Sequence, residues 1–250
     1  MAVKLFVLGL PGSGKSTVVR YTMMHIRDKG WETNHFNDYG ILQDMFLADR
    51  EQKQFKPADH GGFDIIDLSA FDVALKSLEQ QVNEHISTAK SQEIILIEFS
   101  RNDYQRAFQQ FSIEFLHDAY FLYLDAEINT CKQRISNRIA NPIYDDDHYV
   151  SDYIFEKYYH GDNGQCLSNI LERDYMLDKQ RVLVIDNDCS LEDASERIVP
   201  FIDYIIGSSS ITNEVVNTSV NNPGHSMSDD TSVSPKVLDE NTSNLELVQI

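Results

Sequence analysis

Gly9-Leu10-Pro11-Gly12-Ser13-Gly14-Lys15-Ser16-Thr17 decides the reading of this chain, because it fits the phosphate-binding pattern GxxxxGK[ST]. Before it, Lys4-Leu5-Phe6-Val7-Leu8 is a short apolar run with the character of a strand. After it, Ser16 to Lys29 has a helical pattern that Gly30 stops. Strand, glycine turn and helix in that order are the context the motif requires. Gly9, Gly12 and Gly14 permit backbone angles closed to residues with a Cβ, so successive N–H groups can turn inward around a phosphate at the positive end of a helix. Lys15 then puts a point charge between the β- and γ-phosphates, and the Ser16 hydroxyl is placed to ligate Mg²⁺. The stretch predicts a nucleoside triphosphate site with Gly9 to Thr17 as its cradle.

Residues 1–206 alternate apolar strands with helical stretches. The strands are expected at Lys4 to Leu8, Glu32 to Asn37, Ile94 to Phe99, Tyr120 to Asp125 and Arg181 to Asp186. Ile94-Ile95-Leu96-Ile97, Tyr120-Phe121-Leu122-Tyr123-Leu124 and Val182-Leu183-Val184-Ile185 are continuous apolar runs, as a parallel sheet covered on both faces demands. Helices are expected near Ser16 to Lys29, Ser69 to Thr88, Ala126 to Ile139 and Leu191 to Ile206. The pattern predicts a doubly wound α/β domain on a five-stranded parallel sheet. Ligands of such sheets bind beyond the carboxyl ends of the strands, so the residues there carry the chemistry.

Asp38 follows the second strand, where a carboxylate can orient or deprotonate an acceptor hydroxyl; an Asx turn or cap before a helix over Tyr39 to Ala48 is the structural alternative. Glu98 ends the third strand and is placed to hold Mg²⁺ together with Ser16, while Arg101 just beyond can clamp a phosphate or pair with Glu98. Arg134 and Arg138 lie four residues apart on one helix face, able to stack on a base and reach the β- and γ-phosphates, or simply to be solvated surface. The polar, aromatic stretch from Asn141 to Leu171 reads as a lid, too irregular for core. Its Asp145, Asp146, Asp147 and His148 suggest a metal only weakly, since three consecutive acids cannot point one way. Residues 40–68, with a His60-Gly61-Gly62 turn, form an insertion suited to binding an acceptor or to acting as a hinge.

Composition sets outer limits. The chain of 250 residues carries a formal net charge of −19, which disfavours nucleic acid and anionic membranes as main partners. Cys131, Cys166 and Cys189 lack CxxC spacing and point to reduced thiols in a cytoplasmic setting. No signal peptide and no apolar run of membrane-spanning length is expected. From Gly207 the composition turns to Ser, Thr, Asn and acids with Lys236 as the one lysine or arginine, which predicts a disordered acidic and polar tail over 207–250. Its end, Leu245-Glu246-Leu247-Val248-Gln249-Ile250, is apolar enough to dock on a protein, with a solvated terminus as the alternative.

Taken together, Gly9 to Thr17, the Glu98/Arg101 strand end, and Leu124-Asp125 followed by Arg134 and Arg138 make the chain resemble the nucleoside and nucleotide kinase group of P-loop proteins, adenylate-kinase-like and including deoxynucleoside, shikimate and gluconate kinases. The resemblance covers about residues 3–206 and implies ATP and Mg²⁺, a lid carrying the arginines, and an acceptor site between the second and third strands. The DGxPR stretch of adenylate kinases is missing, and Glu98-Phe99-Ser100-Arg101 matches the ERS stretch of deoxynucleoside kinases only loosely. The expected function is a kinase passing the γ-phosphoryl group of ATP to a small-molecule, nucleoside or nucleotide acceptor. The alternative is an ATP-binding regulatory or switch protein acting through a partner. A GTPase is disfavoured, because no guanine-reading NKxD sequence occurs and Asp59-His60-Gly61-Gly62 follows no expected strand.

Overall fold

A computed structural model describes residues 2–89, 92–141, 149–159, 164–188 and 191–220. In chain order they form β1 (Ala2–Gly9), α1 (Lys15–Asp28), β2 (Glu32–Asn37), α2 (Asp38–Ala48), β3 (Phe55–Pro57), β4 (Phe63–Ile65), α3 (Ser69–Thr88) and β5 (Glu93–Phe99). Then come α4 (Tyr104–Phe108), α5 (Ile113–His117), β6 (Tyr120–Asp125), α6 (Ile128–Ala140), α7 (Asp152–Lys157), α8 (Gly164–Tyr175), β7 (Val182–Asp186) and α9 (Leu191–Val220). The main sheet is parallel throughout, in the order β2-β5-β1-β6-β7, with the glycine-loop strand β1 at its centre.

Alternation along the strands sorts side chains onto two faces. Phe6, Leu8, Ile95, Ile97, Phe99, Phe121 and Tyr123 point to one face, covered by α3, α4, α5 and α8. Leu5, Val7, Ile94, Leu96, Leu122 and Leu124 point to the other, covered by α1 and α9. The first face is aromatic: Phe6 stacks on Phe121 at 4.9 Å and meets Phe99, Phe111 and Phe115 edge-on. Each such fully buried ring is worth about 1.5–3 kcal/mol relative to exposure, which holds β1 firmly beneath its loop. The register aligns Val7 with Glu98 and Asn37 with Glu98, so the ends of β1, β5 and β2 share one edge of the sheet.

Three features depart from the sequence expectation. Inside the 40–68 insertion lies a hairpin, β3 with β4, whose strands of three residues each are too short for an alternation signal. The stretch expected to be a lid is partly core: Leu167 and Leu171 of α8 are fully buried on the aromatic face. The last helix, expected to stop at Ile206, continues to Val220. The chain divides into two units, Met1–Ile211 and Thr212–Ile250, and the tail expected over 207–250 lies outside the described residues from 221 onward. Among the described residues no helix is long and apolar enough to cross a membrane.

Candidate functional site

The glycine loop turns where β1 ends. Gly12 has φ 81°, and a Cβ there would lie 2.4 Å from the Cys131 carbonyl oxygen. Gly14 has φ 95° and begins α1, with Asn187 Nδ2 only 2.6 Å from where its Cβ would be. Both positions are therefore closed to other residues by backbone angle and by space. No side chain caps α1 and no acid lies in its first turn. Its leading amides and positive dipole end are left to an anion from outside. Lys15, buried, donates from Nζ to the Leu10 carbonyl at 2.9 Å. Burial pulls its pKa below the ordinary lysine value, partly offset by the charge of Glu98. Beneath the loop the Tyr104 hydroxyl accepts from Gly9 N–H at 2.8 Å and donates to Gly9 C=O at 3.2 Å, pinning the point where the chain leaves the sheet.

Beside the loop stand two carboxylates with different partners. Glu98 accepts from the Ser16 hydroxyl at 3.1 Å on one oxygen and meets His35 Nε2 at 3.0 Å on the other. Burial works to raise its pKa, yet the His35 hydrogen bond, the charges of Lys15 and His35 and the Ser16 hydroxyl together hold it below the usual value. A carboxylate and a hydroxyl are hard oxygen donors and fit Mg²⁺, which takes few protein ligands and completes its shell with water and phosphate oxygens. Among the described residues no group of three or more His, Cys, Asp or Glu is arranged to hold a metal by itself.

Asp38 is the first residue of α2, but Asn37 caps that helix by accepting from Gly40 N–H. The Asp38 carboxylate, buried, instead pairs with Arg101 Nη1 at 2.5 Å. Burial raises its pKa and the Arg101 charge only partly reverses this. Arg101, expected to clamp a phosphate or pair with Glu98, is 3% exposed and taken up otherwise. It donates to the Ser100 carbonyl at 2.6 Å and the Phe71 carbonyl at 3.0 Å, and lies 4.4 Å from the centre of the Phe71 ring.

On the far side of the loop, Arg134 of α6 donates from Nη2 to the Asn187 carbonyl at 2.8 Å, while its Nη1 is buried without a partner. An orphaned guanidinium nitrogen beside an uncapped helix start fits a polyphosphate, since an unpartnered buried donor costs about 1–3 kcal/mol until an acceptor arrives. Arg138, one turn on, is close enough for its charge to add to the burial that lowers the Lys15 pKa and to offset in part the burial that raises that of Tyr39. Asn187, after β7, ties this side together by donating to the Ser13 carbonyl at 2.5 Å and receiving its place from the Asp125 carbonyl at 2.6 Å.

One cavity of about 630 Å³ joins all of this. Lys15, Asp38, Arg101, Arg134, Arg138, Ser16 and Glu98 line it together with Pro11, Gly12, Gly14 and Thr17. Gly9, Leu10 and Ser13 of the expected cradle are not on its wall; Ser13 is fully buried and Leu10 serves through its carbonyl. From the insertion, Leu42, Phe63 and Ile65 reach the cavity, whereas His60 does not. From the expected lid, Tyr149, Val150, Ile154 and Tyr159 line it; the Asp145 to His148 cluster lies outside the described residues. Sequence reasoning missed His35, Tyr104 and Asn187. His35 alone had a signal, a polar residue two positions before the end of an edge strand, which is a weak one.

No family model matches the chain, and no curated protein does. Similar folds occur among solved structures. An APS kinase of Mycobacterium tuberculosis is 13% identical, with 81% of this chain and 98% of that one covered at a TM-score of 0.49. A gluconokinase of Sinorhizobium meliloti is 12% identical, with 84% and 97% covered at 0.44. A sugar kinase of Janibacter is 18% identical, with 81% and 95% covered at 0.42.

Proposed function

We propose that the protein is a kinase that passes the γ-phosphoryl group of ATP to a hydroxyl of a small-molecule acceptor. The observation that carries this reading is the buried Asp38 carboxylate sharing one cavity with Lys15 and the uncapped start of α1. A triphosphate site alone needs no second carboxylate beyond Glu98; a site that moves a phosphoryl group to an alcohol does.

Gly12, Gly14 and the first turn of α1 hold the phosphates by backbone amides, and Ser16 with Glu98 would hold Mg²⁺, which would supply charge neutralisation to the phosphates. Lys15 leaves the Leu10 carbonyl for the phosphates, whose negative charge restores its proton affinity. Arg134 and Arg138 add charge on the equatorial oxygens. Asp38 takes the proton of the acceptor hydroxyl as that oxygen bonds to the γ-phosphorus and the bond to the β–γ bridging oxygen breaks, ADP leaving with the electron pair. Its raised pKa makes it a stronger proton acceptor than an ordinary carboxylate. Arg101 fixes the direction of the carboxylate.

The test is transfer from γ-labelled ATP to a panel of hydroxyl compounds, with the Lys15→Ala protein as control. Labelled acceptor, lost on the order of 10³-fold in Lys15→Ala, is the expected result. Unchanged ATP binding and turnover in that variant would overturn the reading.

A further inference from the structure

The ladder between β1 and β5 ends with Leu8 opposite Phe99, while β1 still pairs with β6 one residue further on, Gly9 opposite Leu124. On the β5 side a side chain makes the next rung. The Tyr104 hydroxyl accepts from Gly9 N–H at 2.8 Å and donates to Gly9 C=O at 3.2 Å, so one oxygen answers two buried main-chain groups that a strand would otherwise have to meet. β5 is thereby free to turn away. Its next carbonyl, that of Ser100, accepts from Arg101 Nη1 at 2.6 Å and from the Tyr159 hydroxyl at 3.3 Å, and Arg101 reaches Asp38 at 2.5 Å.

The short stretch from Arg101 to Tyr104 therefore holds both sides of the reaction. Arg101 aims the Asp38 carboxylate. Tyr104 holds Gly9, and the next carbonyl along, that of Leu10, accepts from Ser13 N–H at 3.0 Å and from Lys15 Nζ at 2.9 Å. The bracket between them is stiff. Asp103, exposed, starts α4 by accepting from Arg106 N–H at 3.0 Å. The Tyr104 ring is buried, meets Tyr123 edge-on at 5.6 Å and packs on Phe99 and Phe108. Burial drives the Tyr104 pKa well above the ordinary tyrosine value, so the group stays a neutral hydroxyl able to donate and accept at once.

We infer that Tyr104 is a positioning residue for phosphoryl transfer, its hydroxyl fixing the phosphate loop at the distance from Asp38 that the transfer needs. This rests on the kinase reading above and deepens it. Tyr104 is not on the cavity wall, so it acts through Gly9 and Arg101 and touches neither phosphate nor acceptor.

The experiment uses Tyr104→Phe, which keeps the ring and removes the hydroxyl, beside Leu171→Ala, which opens the same aromatic core and carries no polar group to the loop. With γ-labelled ATP and a hydroxyl acceptor of the wild type both saturating, kcat of Tyr104→Phe falls about tenfold to a hundredfold while ATP affinity stays within about threefold, because a displaced reacting group costs rate more than binding. The share of label released as inorganic phosphate rises. Leu171→Ala, with thermal unfolding lowered at least as far, keeps the wild-type kcat and the wild-type partition of label. An unchanged kcat in folded Tyr104→Phe, or the same loss in Leu171→Ala, overturns the inference and leaves the kinase reading standing. A wild type that labels no acceptor sinks the kinase reading and the inference with it. Should Tyr104→Phe fail to fold, Asp103→Ala removes the cap that starts α4; a several-fold loss of kcat at unchanged ATP affinity supports the inference, and an unchanged kcat overturns it.

Discussion

The two walls of the cavity solve the same task, holding a ligand, by opposite means. The glycine-loop wall works through backbone amides and cations, and most of it comes from Pro11 to Arg20, without Ser13, and from one helix face at Arg134 and Arg138. The facing wall carries rings and one self-neutralised ion pair, gathered from β2, α2, a hairpin with three-residue strands, α3, β5 and α7. The first suits a ligand whose charge is fixed in advance; the second suits one selected by shape. The difference teaches that in this fold the constant partner is read by main chain and the variable one by side chains that separate elements bring together.

Substitutions on either wall should therefore have separable effects. Asp38→Asn is expected to lower transfer by about 10²–10⁴-fold while ATP affinity stays within about twofold, because it removes the proton acceptor and leaves the loop intact. The same change removes the anion facing buried Arg101, so chemical denaturation should show a loss of about 3 kcal/mol. A parallel loss of ATP binding would merge the two walls into one unit. Gly12→Ala is the mirror experiment. Its Cβ would press on the Cys131 carbonyl at a φ that L-residues avoid, at a cost of about 1–3 kcal/mol or more, and fluorescent-ATP titration should show binding lost.

Smaller effects sharpen the comparison. His35→Ala removes a hydrogen bond that orients Glu98, and the Mg²⁺ concentration needed for half-maximal ATP binding should rise about tenfold, with little change in ATP affinity measured without metal. The pH profile of kcat/KM, which reports free-enzyme groups, should be a narrowed bell. Asp38 must be ionised and its pKa is raised, so the acid limb lies above the ordinary carboxylate range; Lys15 must be charged and its pKa is lowered, so the alkaline limb lies below the ordinary lysine range. An acid limb that persists in Asp38→Asn would assign it to another group.

How much of this was legible in the sequence follows from the same contrast. The loop is contiguous, so its glycines, Lys15 and Ser16 could be read at once, and apolar runs marked four of the five strands of the main sheet, β2 being polar in sequence. Strand ends then pointed to Asp38 and Glu98. The partner of Arg101 was out of reach, since nothing local distinguishes Arg101 pairing with Asp38 from Arg101 pairing with Glu98; in the fold Glu98 is engaged by Ser16 and His35, and Arg101 pairs with Asp38. Asn187 lies 174 positions from Ser13, and Tyr104 lies 95 from Gly9, so no spacing rule connects them. Leu167 and Leu171 were hidden in a polar, aromatic stretch because only two positions per turn of α8 face the core.

The most direct test follows where the label of γ-labelled ATP goes. With Mg²⁺ and a panel of small hydroxyl compounds present, the account predicts labelled acceptor in the wild type and its loss in Asp38→Asn, which still binds ATP. Label released only as inorganic phosphate, at a rate that neither acceptor nor Asp38→Asn changes, would contradict it and make the protein an ATPase that acts on no small molecule.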